Sequence, residues 1–262
     1  MAALMKQRVV HVFTHDSIFV GEDGPTHHGA FDIAYLRQIP GMCLLAPKDG
    51  SELAQMMTFA LSYDKGPVAI RFPRAAASFE VDRLSIRLQS PAIEEGRAEV
   101  IGSGGDVLLV AYGSMVRCAC RAAQLLEKES LQTTVINARF AKPLDEKTIL
   151  EHLSGKRLVV TLEEGTLCGG FGSAVLELAA GAAYKKSDRP LIKTLGLPDC
   201  FVTHGRREFL LELVGLTPEA VRNSVVAHLN SAQALSAQDS SAIARLMRAR
   251  AGSSKLSNKV AS

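Results

Sequence analysis

The chain has 262 residues, of which 47% are hydrophobic, so it is long enough to bury one large core or two ordinary ones. Its five cysteines are odd in number and form no CxxC pair, which argues against a disulfide scaffold and against a zinc site. The net charge is +3, but the last 23 residues hold five basic residues and no acidic one, so the rest carries −2 and is not a nucleic-acid binder by charge.

No apolar run approaches the length of a membrane span, and the first residues, MAALMKQRVV, contain no long apolar stretch before a cleavage site. We therefore expect a soluble, cytoplasmic protein. A plastid is the alternative location in a eukaryote, although no transit peptide is recognisable. Residues 231–262 are rich in serine, alanine and glutamine and include the five basic residues, which predicts a basic, flexible tail.

The first 74 residues alternate buried strands with helices. Strands are predicted at Val9–Phe13, Met42–Ala46 and Pro67–Arg71, and helices at Ala30–Ile39 and from Asp49 onward. The second helix starts at Asp49 because Glu52 follows three residues later, which is the pattern of a capping box. This alternation predicts an α/β fold with a parallel sheet. Three strands are few for such a sheet, so we expect it to be truncated, with an open, apolar edge.

A connection with mixed charges and small residues, Ala75–Asp106, precedes a second α/β unit. Its strands are predicted at Val107–Tyr112, Thr133–Asn137, Arg157–Leu162 and Leu191–Leu195. Its helices are predicted at Met115–Lys128, Glu146–Leu153, Gly170–Ala182, Arg207–Val214 and Pro218–Leu229. The sequence therefore predicts two domains, at 1–90 and 91–230, followed by the tail at 231–262.

The segment THDSIFVGEDGPTHHGAFD, from Thr14 to Asp32, is the most polar part of the first domain. It contains three histidines, three aspartates, a glutamate, three glycines and a proline. Neither a core nor a regular helix or strand favours this composition, so we interpret it as a loop that follows the first strand. A histidine in such a loop can exchange a proton near neutral pH, and a carboxylate can accept hydrogen bonds from hydroxyl groups.

Several long motifs resemble one enzyme family. They are GEDGPTHHGAFDIAYLRQIPGMCLLAPKDGSEL and GPVAIRFPR in the first half, and INARFAKPLDEKTI, LVVTLEEGTLCGGFGSAVLE and LGLPDCFVTHG in the second. Together they resemble the 1-deoxy-D-xylulose-5-phosphate synthases, thiamine-diphosphate enzymes of the transketolase superfamily, from about Val9 to about His228. The resemblance implies a truncated pyrimidine-binding domain followed by a transketolase C-terminal-like α/β/α domain, the C-terminal portion of such an enzyme.

The resemblance also implies site residues. His27 matches the histidine that faces the reacting carbons, and Asp23 matches the aspartate that binds a substrate hydroxyl. Arg74, the last residue of RFPR, matches the arginine that pairs with the acceptor's phosphate, a role that suits a planar guanidinium. His15 lies where transketolases place a phosphate-binding histidine. The synthases have an Asp-Arg pair where this chain has His15 and Asp16, so the consequence of Asp16 stays open.

The resemblance implies thiamine diphosphate and Mg²⁺ as cofactors, with pyruvate and glyceraldehyde 3-phosphate as substrates. Two of the family's elements have no match here: the GDG motif with its later asparagine, which holds the metal and the diphosphate, and the glutamate that activates the cofactor. We therefore assign no metal ligand and no cofactor-binding residue, and we expect the isolated chain to be incomplete. A homodimer or a pairing with an N-terminal partner chain is expected, without nucleic acid or membrane.

Three functions remain open at this point. The first is the C-terminal portion of a 1-deoxy-D-xylulose-5-phosphate synthase, a transferase of isoprenoid-precursor and thiamine biosynthesis. The second is a C-terminal transketolase subunit, because THDSIFVGEDGPTH also resembles transketolase proper. The third is a non-catalytic fragment that acts in dimerisation or assembly.

Overall fold

The computed structural model describes residues 1–21, 23–75, 92–182 and 190–232. The predicted tail lies outside the described residues beyond 232, and the predicted connection lies outside them between 76 and 91. The contacts of the chain divide it into two units, Met1–Arg222 and Asn223–Ser262. In the second unit, the described residues 223–232 are helical. Across the described ranges, no helix is both long and apolar enough to cross a membrane.

The first unit contains two groups of elements. The first group is β1 (Val10–Phe13), a 3₁₀ turn (Gly24–His27), α1 (Asp32–Leu36), β2 (Cys43–Leu45), α2 (Gly50–Ser62) and β3 (Val68–Arg71). The second group is β4 (Glu99–Gly102), β5 (Val107–Ala111), α3 (Met115–Lys128), β6 (Thr133–Asn137), β7 (Phe140–Lys142), α4 (Glu146–Leu153), β8 (Leu158–Thr166), α5 (Phe171–Gly181), β9 (Ile192–Leu197) and α6 (Arg207–Leu213). A further helix, α7, begins at 218.

The smaller sheet has the strand order β1-β3-β2-β7. The three strands from the first 71 residues are parallel, as predicted, and every residue of β2 and β3 is buried. β7 joins β2 in the antiparallel direction, so a strand from the second half of the chain closes that side of the sheet. β1 forms the other end of the sheet and pairs with β3 alone among the described strands. Val12 of this edge strand is 45% exposed, in line with the open edge that the sequence predicts.

The larger sheet has the order β4-β6-β5-β8-β9. Four adjacent strands run parallel, namely β6, β5, β8 and β9. β4 pairs with β6 in the antiparallel direction at one edge of the sheet. β5 is buried throughout because helices cover both faces of a parallel sheet. The mixed α/β architecture of both sheets confirms the predicted fold class.

One apolar core joins the two halves of the sequence. Ile33 and Leu44 from the first half pack in the same cluster as Leu108, Ile136 and Phe171 from the second. All five side chains are fully buried. Burial of apolar area on this scale is the dominant stabilising term, so the two sheets hold each other in place within the first unit.

A buried polar cluster reinforces this junction. Glu52 of α2 is fully buried and accepts hydrogen bonds from Arg139 Nε at 2.7 Å and Asn137 Nδ2 at 3.0 Å. It also accepts one from the backbone N–H of Lys48 at 2.7 Å, while Asp49 accepts the backbone N–H of Glu52 at 2.8 Å. Asp49 therefore caps α2 as predicted, whereas the glutamate of the predicted capping box accepts the N–H of Lys48, the residue before the cap, and also binds the second half of the chain.

Glycines make the β8–α5 turn possible. A Cβ on Gly170 would lie 2.2 Å from the Thr166 carbonyl oxygen, and one on Gly172 would lie 2.7 Å from Thr161 Oγ1. Glu163 instead occupies the space at the start of α5, where it accepts the backbone N–H groups of Phe171 at 2.8 Å and Gly172 at 2.7 Å. The glycines thus allow close packing of β8 against the start of α5.

Candidate active site

The loop that follows β1 is folded back on itself at the carboxyl end of the smaller sheet. The Asp16 N–H bonds the Phe72 carbonyl at 3.4 Å, and the Ser17 N–H bonds the Gly29 carbonyl at 3.0 Å. A Cβ on Gly29 would lie 2.1 Å from the His15 carbonyl oxygen, so only glycine allows the two arms of the loop to approach this closely. The loop is thereby held against the residues that follow β3.

Asp23 and Arg74, two of the predicted site residues, lie in direct contact. Arg74 Nη1 donates to Asp23 Oδ2, and also to the Val20 carbonyl at 3.4 Å. Both side chains remain open to solvent, with 37% of Asp23 and 56% of Arg74 exposed. An ion pair at this exposure contributes little to stability, so both groups are available to a ligand.

The Asp23–Arg74 pair lines a cavity of about 300 Å³, here called the Asp23 cavity. The remaining lining residues are Phe19, Val20, Gly21 and Arg207. The volume falls at the lower end of the range for small-molecule sites. A carboxylate can accept hydrogen bonds from hydroxyls here while guanidinium groups bind an anion, which suits a polyhydroxylated phosphate ester.

The two predicted histidines take different positions. His15 is exposed and lines an open cleft of about 510 Å³ together with Thr14, Phe72, Pro73, Arg74 and Ala75. Its Nδ1 lies 2.9 Å from Thr14 Oγ1. His27 is exposed at the end of the 3₁₀ turn, with Nδ1 at 3.0 Å from Thr26 Oγ1, and it lines neither of these cavities. Arg74 therefore lines both the cavity that contains Asp23 and the cleft that contains His15, while His27 lines neither.

Asp16, whose role the sequence left open, is buried behind the site and does not line it. Only 2% of Asp16 is exposed, and its Oδ2 lies 3.5 Å from Nη1 of Arg71. Asp32 accepts a hydrogen bond from Arg71 Nε at 2.8 Å and is also buried. Asp16 Oδ1 has no hydrogen-bond partner among the described residues. Two buried carboxylates thus share one guanidinium, and Asp16 has the poorer contact.

This arrangement changes the acidity of Asp16. Burial raises its pKa from 3.8 to about 7, against the opposing field of Arg71, and the Glu164 and Asp32 carboxylates raise it further. In the unfolded chain Asp16 releases its proton near pH 4, whereas the folded protein holds the proton until near pH 7. Folding stability therefore falls as pH rises through this window, because the folded state binds the extra proton.

We expect Asp16→Asn to flatten the pH dependence of stability between about pH 4 and 7. The amide cannot ionise, so the variant should gain stability relative to the unsubstituted chain at pH 8 and gain little at pH 5. Urea unfolding at a series of pH values measures the difference. Asp199→Asn, at an exposed position, is the matched control. If stability changed with pH by the same amount in Asp16→Asn and in the original chain, the raised pKa of Asp16 would be contradicted.

Arg207 is the residue of this site that the sequence did not indicate. It begins α6, far from the loop in sequence, and no motif marks it. Its Nη2 donates to Glu164 Oε1, and its Cζ lies 4.6 Å from the centre of the Phe19 ring. The fold alone brings it to the Asp23 cavity, so it could only be found from coordinates.

No group of three or more histidine, cysteine, aspartate or glutamate side chains with the arrangement of a metal site occurs within the described ranges. The charged residues that line the Asp23 cavity are two arginines and one aspartate, which provide one carboxylate ligand and two repelling charges to a divalent cation. The described lining thus suits a phosphorylated organic ligand and does not suit a divalent cation.

Two family models match the chain, one after the other. The transketolase pyrimidine binding domain matches residues 1–78, and the transketolase C-terminal domain matches residues 96–221. The first range contains Asp23, His27 and Arg74, and the second contains Arg207. The Asp23 cavity is therefore formed by residues from both matched ranges.

Curated relatives carry the name 1-deoxy-D-xylulose-5-phosphate synthase. The protein from Gloeobacter violaceus is 46% identical over 215 residues, which cover 79% of this chain and 31% of the relative. The protein from Synechococcus sp. (strain JA-3-3Ab) is 45% identical over 227 residues, which cover 86% of this chain and 33% of the relative. The chain therefore spans about a third of the length of the curated relatives that it matches.

Solved structures give the same assignment. A split-gene transketolase, described as an inactive β4 tetramer, superimposes with a TM-score of 0.71 at 31% identity, covering 87% of this chain and 68% of that chain. Transketolase from Campylobacter jejuni superimposes with a TM-score of 0.65 at 25% identity, covering 86% of this chain and 32% of that chain. The chain belongs to the transketolase family, and its sequence matches the C-terminal portion of the 1-deoxy-D-xylulose-5-phosphate synthases.

Proposed function

We propose that this chain supplies the acceptor-binding part of a thiamine-diphosphate-dependent site that makes 1-deoxy-D-xylulose 5-phosphate. The observation that carries the proposal is the exposed Asp23–Arg74 pair in a cavity at the carboxyl end of the smaller sheet. In the reaction, the bond between the carboxylate and the carbonyl carbon of pyruvate breaks and CO₂ leaves. The carbonyl carbon then bonds to the aldehyde carbon of glyceraldehyde 3-phosphate, whose oxygen takes up a proton.

The residues of this chain have distinct roles in the proposal. Arg74 binds the phosphate of the acceptor through its guanidinium, and Asp23 accepts a hydrogen bond from a substrate hydroxyl. The present Asp23–Arg74 contact opens when the two groups turn to substrate. His27 exchanges the proton at the aldehyde oxygen, which requires that its exposed ring face the bound substrate. His15, beside Arg74, is a second contact for the acceptor.

Thiamine diphosphate supplies the electron sink for this chemistry when it is bound. We propose that the metal and the diphosphate are held by polypeptide that the curated relatives possess beyond the matched third of their length. The partner in this proposal is an N-terminal chain, and a homodimer of this chain is the alternative assembly. We further propose the domain division 1–90, 91–230 and 231–262, which the ranges matched by the two family models support.

Reconstitution tests the proposal. The purified chain is mixed with the N-terminal two thirds of a curated relative, thiamine diphosphate, Mg²⁺, pyruvate and glyceraldehyde 3-phosphate. We expect 1-deoxy-D-xylulose 5-phosphate, detected by mass spectrometry, in the mixture and in neither component alone. Complex formation without product would support the assembly role instead, and product from this chain alone would contradict the proposed division of the site.

A transketolase subunit is the second candidate. Thr14, His15 and Asp16 resemble transketolase proper, and the split-gene transketolase covers 87% of this chain. The same reconstituted mixture separates the candidates through the donor. Product with a ketose phosphate but not with pyruvate selects the transketolase.

A further inference from the structure

Arg207 connects the second half of the chain to the Asp23 cavity. It lies in the wall of that cavity together with Asp23 and Arg74. It also lies in the wall of a larger cavity of about 520 Å³, whose lining includes Lys48, Phe72 and Met115. Arg207 is thus a residue that the linings of both cavities share, and it is the one residue of α6 in the described lining of the Asp23 cavity.

The guanidinium of Arg207 is held firmly by two contacts. Glu164 accepts from Nη2, and from Nη1 at 3.5 Å, and only 1% of the Glu164 side chain is exposed. The Phe19 ring lies beneath the guanidinium, with Cζ 4.6 Å from the ring centre, which is within the range of a cation–π contact. Since both partners are buried, the position of the head group is fixed before any ligand arrives.

Hydrogen-bond capacity remains on both arginines of the cavity. The contacts of Arg207 use Nη1 and Nη2, and Nε has no acceptor among the described residues. The contacts of Arg74 with described residues use Nη1 alone. A guanidinium has five N–H donors in a planar fork, which match two oxygens of a phosphate group. Among the described residues, the lining of the cavity therefore offers two guanidinium groups and the carboxylate of Asp23, while the Glu164 carboxylate that pairs with Arg207 lies outside the lining.

We propose that Arg207 is a second phosphate-binding residue, which shares the lining of the Asp23 cavity with Arg74 and acts with it to hold the terminal phosphate of the acceptor. The ligand class is a phosphate monoester dianion, whose two negative charges suit two guanidinium groups. The identity of that monoester as the acceptor rests on the proposed function, whereas the binding of phosphate itself does not. Arg207 contributes this charge from the C-terminal domain, so the acceptor site spans both matched domains.

Binding of inorganic phosphate to the full chain tests the inference without any partner or turnover. Titration at constant ionic strength, with ³¹P NMR line broadening as the readout, yields the dissociation constant. We expect saturable binding that weakens about tenfold in Arg207→Gln, as the loss of one charge-assisted contact predicts. Arg207→Lys should recover part of the loss, because it restores the charge but not the fork. Arg206→Gln, next to it and exposed, is the matched control and should bind as the original chain does.

A second variant is needed as a control for misfolding. Arg207→Gln leaves the buried Glu164 carboxylate without its partner, and this loss can unfold the chain. The double variant Glu164→Gln, Arg207→Gln removes both charges and should fold while still binding phosphate about tenfold more weakly. Equal affinity in the double variant and in Arg206→Gln overturns the proposal, and so does the absence of saturable binding to the original chain. Failure of the reconstituted reaction with phosphate binding intact would instead count against the proposed function alone.

Discussion

Arg71→Met is expected to destabilise the chain by about 3–5 kcal/mol, the usual cost of removing one partner from a buried ion pair. Arg71 is 1% exposed, and it holds the two buried carboxylates of Asp16 and Asp32 at 3.5 Å and 2.8 Å. It also donates to the Gly29 carbonyl at 3.4 Å. Methionine fills a similar volume but leaves both carboxylates without their guanidinium partner. Asp32 keeps the backbone N–H of Ile33 at 2.8 Å, and the Gly29 carbonyl keeps that of Ser17 at 3.0 Å.

The stability that Arg71→Met loses should depend on pH. Without Arg71, the Asp16 carboxyl loses the positive charge that opposes the effect of its burial, so its pKa in the folded state rises further. Stability is then lost as pH increases, because the unfolded chain releases that proton first. We therefore expect a larger deficit at pH 8 than at pH 5. A loss of this size is a large fraction of the total stability of a typical domain, about 5–15 kcal/mol.

Urea unfolding followed by circular dichroism measures the effect. Arg97→Met is the matched control, since Arg97 is 56% exposed and its carboxylate partner lies 4.0 Å away, so its removal should change stability by less than about 0.5 kcal/mol. Asp16→Asn in the Arg71→Met background should recover part of the loss, because one buried acid is then removed. Equal midpoints for Arg71→Met and Arg97→Met would exclude the proposed role of this cluster.

Where the apolar pattern is bounded by clear start and stop signals, sequence and structure agree. The predicted bounds of α3, β6 and α4 are those observed. α4 shows why, because Asp145 accepts the backbone N–H of Thr148 at 3.0 Å and so starts the helix where the sequence places a capping residue. Helix α1 is shorter than predicted, Asp32–Leu36 against Ala30–Ile39, since Ala30 and Phe31 belong to the loop.

The two strands that the sequence did not predict, β4 and β7, are short edge strands. β4 lies within the predicted connection, and its residues are exposed or half-buried, so it lacks the apolar run that marks β5. β7 has three residues, and its pairing with β2 contains a register shift at Leu44 and Leu45. Strands of this kind form because a neighbouring strand offers free backbone groups, and a local pattern does not reveal such a partner.

The candidate site was also predicted only in part. The family resemblance indicated Asp23, His27, Arg74 and His15. The structure brings Asp23 and Arg74 into contact and places His15 beside Arg74. The sequence did not predict that Asp16 is buried or that Arg207 lines the Asp23 cavity. Both depend on contacts between segments more than 50 residues apart, which neither spacing nor composition encodes.

The largest effect on activity is expected at His27. In the reconstituted mixture, His27→Gln should lower kcat by about 10²–10⁴-fold, the usual contribution of a positioned proton-transfer group. Glutamine can hydrogen-bond but cannot take up and release a proton, so the KM for glyceraldehyde 3-phosphate should change far less than kcat. His27 is exposed and bonds only Thr26 Oγ1 among the described residues, so the variant should fold and assemble normally.

The control and the pH profile separate this role from a structural one. His152→Gln alters a histidine of α4 whose ring bonds the Thr148 carbonyl at 2.9 Å, and it should leave kcat unchanged. If His27 moves the proton, the limb of the kcat profile that depends on imidazole should disappear in His27→Gln. A variant with full kcat, or with a lowered kcat and an unaltered profile, would show that the exposed ring never reaches the reacting oxygen. Proton transfer would then have to come from another group, in this chain or in its partner.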